Sequence, residues 1–340
     1  MIVNKEELQK ALEIVKPGLA NKEQIEQSTS FAFIKGRVIT YNDEISISHP
    51  VPGLEVEGAI LAENLYKFLT KIKKEEITLE LAGNEILLTS EKAKAGLLLQ
   101  TEIKLPLDEE VSQKGKWYPL PVHLVPGLAF CMTVCSRDMS RPVLTCIHVN
   151  KAGYLEASDS YRIVRYQIEE EMPIETFLIP AMAAVEVVKL KPVKITGGKG
   201  WVHFKNENNT ILSCRIYEEK YPTTKGFYTN EGVRVILPKT TEEMLARAQV
   251  FSKREHVLDE WISVTIENHV FKIESRSDTG WFNETSKIKF EGDVINFDIT
   301  PYLLKGILAE TRGFKYTSDK LTFEGERWLY VSTLRQRKIK

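Results

Sequence analysis

At 340 residues the chain is long enough for two or three domains, more than one hydrophobic core would organise. Its 46 lysines and arginines balance 47 acids, so overall charge singles out neither nucleic acid nor an acidic partner, and any basic surface must be local. The composition, 43% hydrophobic and 27% charged, excludes a disordered chain, and four cysteines are too few for a disulfide framework; with no signal-peptide pattern and no apolar run of membrane length, the cytoplasm is the expected compartment.

Lys5 to Val15 opens the predicted elements as a helix carrying Leu8, Leu12 and Val15 on one face. Alternating, strand-like segments follow at Thr29–Lys35, Arg37–Tyr41 and Glu44–Ser48. Leu61 to Lys74 reads as a second helix, with Leu61, Leu65, Phe68, Leu69 and Ile72 facing inward. Behind it come Ile77–Leu81, Glu85–Ser90 and Gly96–Glu102, joined by turns at Gly83-Asn84 and Lys92-Ala93-Lys94. A polar stretch from Leu105 to Lys116 serves as a linker.

The order then returns. Val122–Ser136 is helical, Leu144–Val149 and Tyr154–Ala157 are strands, and Ala181–Leu190 is a helix opened by Pro180. Strands Val193–Thr196, Trp201–Lys205 and Thr210–Tyr217 follow, and Tyr221–Gly226 forms a second linker. A third round has a helix at Thr241–Lys253 and strands at Trp261–Ile266 and Val270–Glu274. Its second helix starts at Thr300-Pro301 and carries Leu303, Leu304, Ile307 and Leu308; Phe314–Thr317, Leu321–Glu324 and Trp328–Thr333 close the chain. Corresponding helices start roughly 120 residues apart, the mark of an internal repeat. The fold class is therefore α+β, with three tandem domains at 1–110, 115–226 and 230–340, each an internally duplicated βαβββ unit.

Catalytic chemistry finds little support. The six histidines are scattered outside any His-Glu-x-x-His pattern, and Cys131 and Cys135, one helical turn apart, lack a second ligand pair for zinc. Gly197-Gly198-Lys199-Gly200 joins two strands and lacks the Gly-Lys-Ser/Thr ending of a phosphate loop. Ser158 and Asp159 have no histidine near in sequence, so an enzyme would need one brought in by the fold. No enzyme, metal or cofactor is expected. Lysines are more informative: Lys67, Lys71 and Lys74 fall at i, i+4 and i+7 opposite the apolar stripe of their helix, either as a solvated face or as a surface for phosphates. Arg247 with Arg254, and Lys305 with Arg312, have the same seven-residue spacing, while Lys189 and Lys191 end their own helix.

Several segments resemble the bacterial DNA sliding clamps, the beta subunits of DNA polymerase III. Arg141-Pro142-Val143-Leu144-Thr145 is similar to the family's Arg-Pro-x-Leu strand, and Ala157-Ser158-Asp159-Ser160-Tyr161-Arg162-Ile163 to its Ala-Thr-Asp-Gly-His-Arg-Leu turn. Glu219-Lys220-Tyr221-Pro222 resembles the family's Gly-Lys-Phe-Pro, and Leu245 to Ser252 its third-domain helix. The resemblance spans essentially the whole chain. It implies a DNA clamp fold and a head-to-tail homodimer closed into a ring around double-stranded DNA. Polymerase and clamp loader would be held there through short linear peptides, with no membrane involved. Lys10, Lys67, Lys71, Lys74, Arg137, Lys189, Lys191, Arg247, Arg254, Lys305 and Arg312 would meet the DNA backbone. Leu144, Ser158, Asp159, Ser160, Tyr161, Arg162, Ile163, Pro222, Val331, Thr333 and Leu334 would wall the peptide cleft. Leu97 and Leu99 of one subunit would meet Val250 and Phe251 of the other. The chain departs from the pattern in its cleft, where Ser160-Tyr161 replaces Gly-His and Ser332 to Lys340 replaces a Met-Pro-Met-Arg-Leu ending. An alternative is a clamp-fold protein that modulates a replisome without encircling DNA.

Overall fold

The computed structural model describes residues 1–107, 111, 115–229 and 231–335. Parts of the expected first linker (108–110, 112–114), position 230 and the ending 336–340 lie outside the described residues. The chain opens with β1 (Ile2–Asn4), α1 (Lys5–Val15), β2 (Ser30–Ile34), β3 (Arg37–Tyr41), β4 (Ile45–Pro50) and β5 (Gly58–Leu61). Next come α2 (Ala62–Lys71), β6 (Glu76–Ala82), β7 (Glu85–Ser90), β8 (Ala93–Leu98), β9 (Tyr118–Pro119) and α3 (Leu124–Cys131). A 3-10 turn at Pro142–Thr145 leads into β10 (Cys146–Asn150), β11 (Tyr154–Ser158), β12 (Arg162–Gln167) and β13 (Phe177–Pro180). Then follow α4 (Ala181–Leu190), β14 (Lys194–Gly198), β15 (Trp201–Lys205), β16 (Ile211–Arg215) and β17 (Val233–Ile236). The last stretch holds α5 (Thr241–Ser252), β18 (Ile262–Glu267), β19 (Val270–Ser277), β20 (Gly280–Lys287) and β21 (Ile295–Ile299). It ends with α6 (Pro301–Leu308), β22 (Gly313–Tyr316), β23 (Lys320–Glu324) and β24 (Trp328–Thr333).

Local chemistry sets the helix ends. Asn4 caps α1, its side-chain oxygen accepting from the Glu7 amide at 3.0 Å, with Glu6 and Glu7 in the favourable first turn. Leu8, Ala11, Leu12 and Val15 form its buried stripe, each large side chain contributing roughly 1.5–3 kcal/mol of apolar transfer. Two helices are shorter than their periodicity predicts. α2 stops at Lys71 because Ile72 turns extended while its amide still reaches back to Leu69. α3 covers only part of Val122–Ser136. It carries Pro126 in its first turn, where a missing N–H costs little, and tightens after Cys131 through bonds from the Thr133 amide to Phe130 and the Val134 amide to Cys131.

Two compact units result: Met1–Ala129 with Glu171–Glu218, and Phe130–Glu170 with Glu219–Lys340. The first unit holds a four-stranded antiparallel sheet, β1-β6-β7-β8, and an eight-stranded one, β5-β2-β3-β4-β16-β15-β14-β9. The second holds β20-β19-β18-β21 and, in its long sheet, the run β10-β11-β12-β24-β23-β22-β17. The long sheets are therefore built across repeats. β4 pairs with β16, Ile45 opposite Cys214, and β12 pairs with β24, Arg162 opposite Ser332. Compact units thus differ from the three segments expected from periodicity, because a half-repeat left alone exposes a strand edge that the neighbouring repeat's edge satisfies. Around the first linker, Leu105 and Val111 are buried in a cluster with Ala32, Tyr41 and Trp201, so this stretch packs onto the first unit.

Candidate binding surfaces

The Ser158–Ile163 segment joins β11 to β12 through a turn whose polar atoms are nearly all engaged. Asp159 accepts from the amides of Tyr161 and Arg162 (3.0 Å each), from Arg162 Nε (2.9 Å) and from the Tyr302 hydroxyl (3.0 Å). Arg162 also donates to the Thr133 carbonyl at 2.9 Å and lies 5.0 Å from the Tyr302 ring centre. Ser158 Oγ donates to the Arg162 carbonyl and accepts from the Ser160 amide. Ser158 and Asp159 therefore build a turn, and these contacts account for them without a nucleophile–base pair. Ser160, at φ +78°, occupies the left-handed region that favours glycine, and Arg141 donates to its hydroxyl at 3.0 Å.

Around this turn Leu144, Ile163 and Val331 are buried, Tyr161 is 42% exposed, Thr333 is exposed and Leu334 half-buried. Thr333 donates both its amide and its hydroxyl to the Tyr161 carbonyl (2.8 and 2.9 Å), which joins the C-terminal strand to the turn. Pro222 is exposed on a segment that a buried carboxylate anchors. Glu156 accepts from Thr224 (2.6 Å), Arg165 (2.7 Å) and His148 (3.1 Å), and Tyr221 stacks on His148 with ring centres 5.0 Å apart. Burial alone would raise the Glu156 carboxyl pKa, but the donors His148, Thr224 and Arg165 more than offset it and hold it below its usual value. This anchor escaped the sequence reading. Alternation gave no signal for it: Glu156 shares a strand face with Tyr154 and Ser158, opposite Leu155 and Ala157, and that face is covered as well.

The expected basic surface fares unevenly. Lys74 lies beyond α2 and pairs with Glu91 at 3.1 Å, so the three-lysine face reduces to Lys67 and Lys71, with Lys67 bridged to Glu63. Arg254 lies past the end of α5, donating to the carbonyls of Ser252, Lys253 and Arg276, and Arg312 past α6, donating to Leu237. Neither shares its expected helix face. Arg247 is on α5 but held by both oxygens of Glu284 at 2.8 Å, and Lys189 pairs with Glu186 at 2.7 Å. Lys191 is the left-handed cap of α4 at φ +51°. Lys10, Lys71, Arg137, Lys191 and Lys305 are exposed cations with no carboxylate partner among the described residues. Such exposed pairs are worth little and exchange readily for a phosphate.

The expected contact between subunits falls on two open sheet edges. β8 is Ala93–Leu98, shifted from the predicted Gly96–Glu102 by a turn at Glu91-Lys92. Leu99 is 4% exposed, with its amide bonded to Asn84 and Gln100 bridging to Ala59, so it lies inside its own unit and cannot present a surface. Leu98, 60% exposed, is the surface residue there, and Leu97 lines a shallow depression of about 580 Å³ with Phe68 and Lys71. In the second unit Val250 is 64% exposed, and Phe251 stacks on Phe282 of β20 with centres 6.4 Å apart. β20, another open edge, is an eight-residue strand that the sequence reading missed.

Among the described residues no helix is long and apolar enough to cross a membrane, and no group of three His, Cys, Asp or Glu side chains is placed to hold a metal ion. All four cysteines are free and buried. No protein-family model matches the sequence, and no curated protein matches it either. Solved structures do match. The chain superposes on the DNA polymerase III subunit beta of Pseudomonas aeruginosa with a TM-score of 0.85 at 13% identity, covering 99% of this chain and 100% of that one. The fold is that of a DNA sliding clamp. The DNA polymerase III beta chain of Streptococcus pneumoniae gives 0.84 at 18% identity, covering 99% of each chain. The sliding clamp of Bacillus subtilis gives 0.82 at 16%, covering 99% of this chain and 98% of that one. The clamp fold thus persists end to end in a sequence that shares fewer than one residue in five with these three proteins.

Proposed function

We propose that this protein is a DNA sliding clamp: a non-enzymatic cytoplasmic processivity factor that closes head to tail as a dimer around duplex DNA and tethers polymerase. Three tandem clamp domains, 1–110, 115–226 and 230–340, underlie this reading. The observation that carries it is the full-length clamp fold, with TM-scores of 0.82–0.85 over at least 98% of each chain compared.

Sheet order supports the dimer independently. Within each unit a strand that ends the early half of a repeat meets one that ends a late half: β4 with β16, β12 with β24. The remaining early end is β20 and the remaining late end is β8, each at the edge of a four-stranded sheet. The same pairing between two copies would complete the pattern twice, with Leu98 and Leu97 meeting β20, Val250 and Phe251. The exposed edges, a hazard in a monomer, would thereby disappear. Lys10, Lys71, Arg137, Lys191 and Lys305 are the best-placed contacts for the phosphate backbone, with Lys67, Lys189 and Arg247 available by exchange from their acids. The cleft beside Tyr161, Leu144, Pro222, Val331 and Thr333 would receive short peptides of polymerase and loader, entering past Tyr161 instead of a histidine.

A second reading, a clamp-fold replisome modulator that does not encircle DNA, draws on the carboxylates that already hold Lys67, Lys189 and Arg247. Sedimentation tests the first reading: the protein should run as twice 38.9 kDa at micromolar concentration, and a monomer there contradicts the ring.

A further inference from the structure

In the long sheet of the first unit, β4, β16, β15 and β14 lie side by side, and their register sets Ser48, Ile211, Lys205 and Lys194 in one row across them. The row faces away from α1. Thr40 on β3 donates to the Val15 carbonyl of that helix at 2.5 Å, whereas Ile39, opposite Ser48, and Arg37 stand on the other face of the strand. Arg37 lays its guanidinium on one end of the row. Its Nε donates to Ser48 Oγ at 2.7 Å, and Nη2 donates to the Ser48 and Asn209 carbonyls at 3.0 and 2.7 Å. Toward the other end Trp117, just before β9 and half-buried, has its ring centre 4.1 Å from Lys205 Nζ.

Charges of one sign are gathered here without an acid. Lys194 and Lys205 are directly opposed on neighbouring strands, an arrangement that destabilises a sheet. Partial burial of its ammonium, together with repulsion from Lys194 and Arg37, holds the Lys205 pKa below its usual value. No carboxylate among the described residues pairs with Arg37, Lys194 or Lys205, and Glu207, exposed in the turn whose Asn209 carbonyl Arg37 reaches, pairs with none of them. A ligand that relieves the repulsion is anionic, and Ile211, between Lys205 and Ser48, gives the row an apolar step. Strands about 4.8 Å apart place Lys194 and the Arg37 guanidinium about 14 Å apart, the span of roughly four or five residues of an extended chain. A peptide can cover Ile211 with an aliphatic side chain between its acids, which a sugar–phosphate backbone does not.

We propose that this row binds an extended acidic segment of a partner protein, its carboxylates meeting Lys194, Lys205 and Arg37 and an apolar side chain resting on Ile211. The surface stands on the geometry of one unit alone. It shares no residue with the open edges β8 and β20, with the cleft beside Tyr161 or with the cations assigned to the DNA backbone.

The test uses the full-length protein and a fluorescent peptide, Asp-Glu-Leu-Asp-Glu-Leu, followed by anisotropy at two salt concentrations. Binding should weaken as salt rises and be absent for the same peptide with lysine in place of every acid. Lys194→Ala should weaken it about twofold to fivefold, the range for one exposed ion pair, and the charge reversal Lys205→Glu should weaken it further. Neither variant should change sedimentation or far-ultraviolet circular dichroism, so failure here is separable from failure of the clamp reading and from misfolding. No binding by the unaltered protein at low salt overturns the proposal, as does unchanged affinity when both lysines are replaced. Loss of binding in Tyr161→Ala overturns it by placing the peptide in the cleft. An oligonucleotide that binds more tightly than the peptide and depends on Lys205 overturns the choice of a protein segment. Binding that appears only once Asp108, Glu109 and Glu110 are replaced by asparagine overturns the choice of a partner, by making the chain's own linker the occupant.

Discussion

Ser160 shows how a single residue carries both strain and identity. Its φ of +78° is a conformation a side chain pays for, by roughly 1 kcal/mol relative to glycine, and the Arg141 bond to its hydroxyl offsets part of that. Ser160→Gly should therefore raise stability by about 0.5–1 kcal/mol, read as a higher urea midpoint; a lower midpoint would mean the Arg141 contact outweighs the strain. His203 gives a pH signature. It is fully buried on β15, with Nδ1 2.8 Å from Ser213 Oγ and no partner for Nε2 among the described residues, and burial pushes its pKa down to about 4. Unfolded histidine titrates near 6.5. As pH falls below that value, the unfolded chain binds a proton that the folded chain refuses, so stability declines until about pH 4, with a loss of about 2 kcal/mol already at pH 5. His203→Gln should flatten this decline, measured as the change in urea midpoint between pH 7 and 5; an equal decline in both proteins would assign it to other groups. Neither feature was legible beforehand, because backbone strain and burial depth leave no composition signature. The turn that contains Ser160 was legible through its motif, down to the position where glycine is replaced.

At the scale of elements, periodicity located α1 and α4 to the residue, since both pair a clear apolar stripe with a sharp boundary, Asn4 before one and Pro180 before the other. It overran α2 and α3, where backbone turns compete with the pattern, and the face of Lys71 with Lys74 dissolved for that reason; Arg254 simply lies beyond the end of α5 that carries Arg247. β20 went unread because its alternation is of polar residues with aromatic ones, Trp281 and Phe282 adjacent, so neither face registers as a hydrophobic stripe. Shifting β8 by a few residues exchanged Leu99 for Leu98 as the exposed leucine, the expected result of a register change in a period-two element. Leu98→Asp on β8, or Val250→Asp on α5, should convert the proposed dimer to monomer in sedimentation while leaving the far-ultraviolet circular dichroism unchanged. A dimer that survives both substitutions places the subunit contact elsewhere.

For the whole molecule, the repeat was readable as a count of helices and strands, but the way repeats share sheets was not. Strand order is decided by which edges find each other, and sequence spacing alone does not record that β4 will choose β16 or β12 will choose β24. Once those two junctions are seen, the open edges of β8 and β20 stand out, and they are where the proposed ring would close. A fold kept at 13–18% identity over nearly its whole length suits the proposed function, since encirclement would need no base-reading side chain and no catalytic group. The most direct measurement loads the protein onto nicked circular DNA and follows what stays bound through gel filtration at high salt, before and after one restriction cut. Encirclement predicts that the protein co-elutes with the circle and is released when the circle is made linear. Dissociation from the intact circle at high salt, or equal retention on both forms, would contradict it.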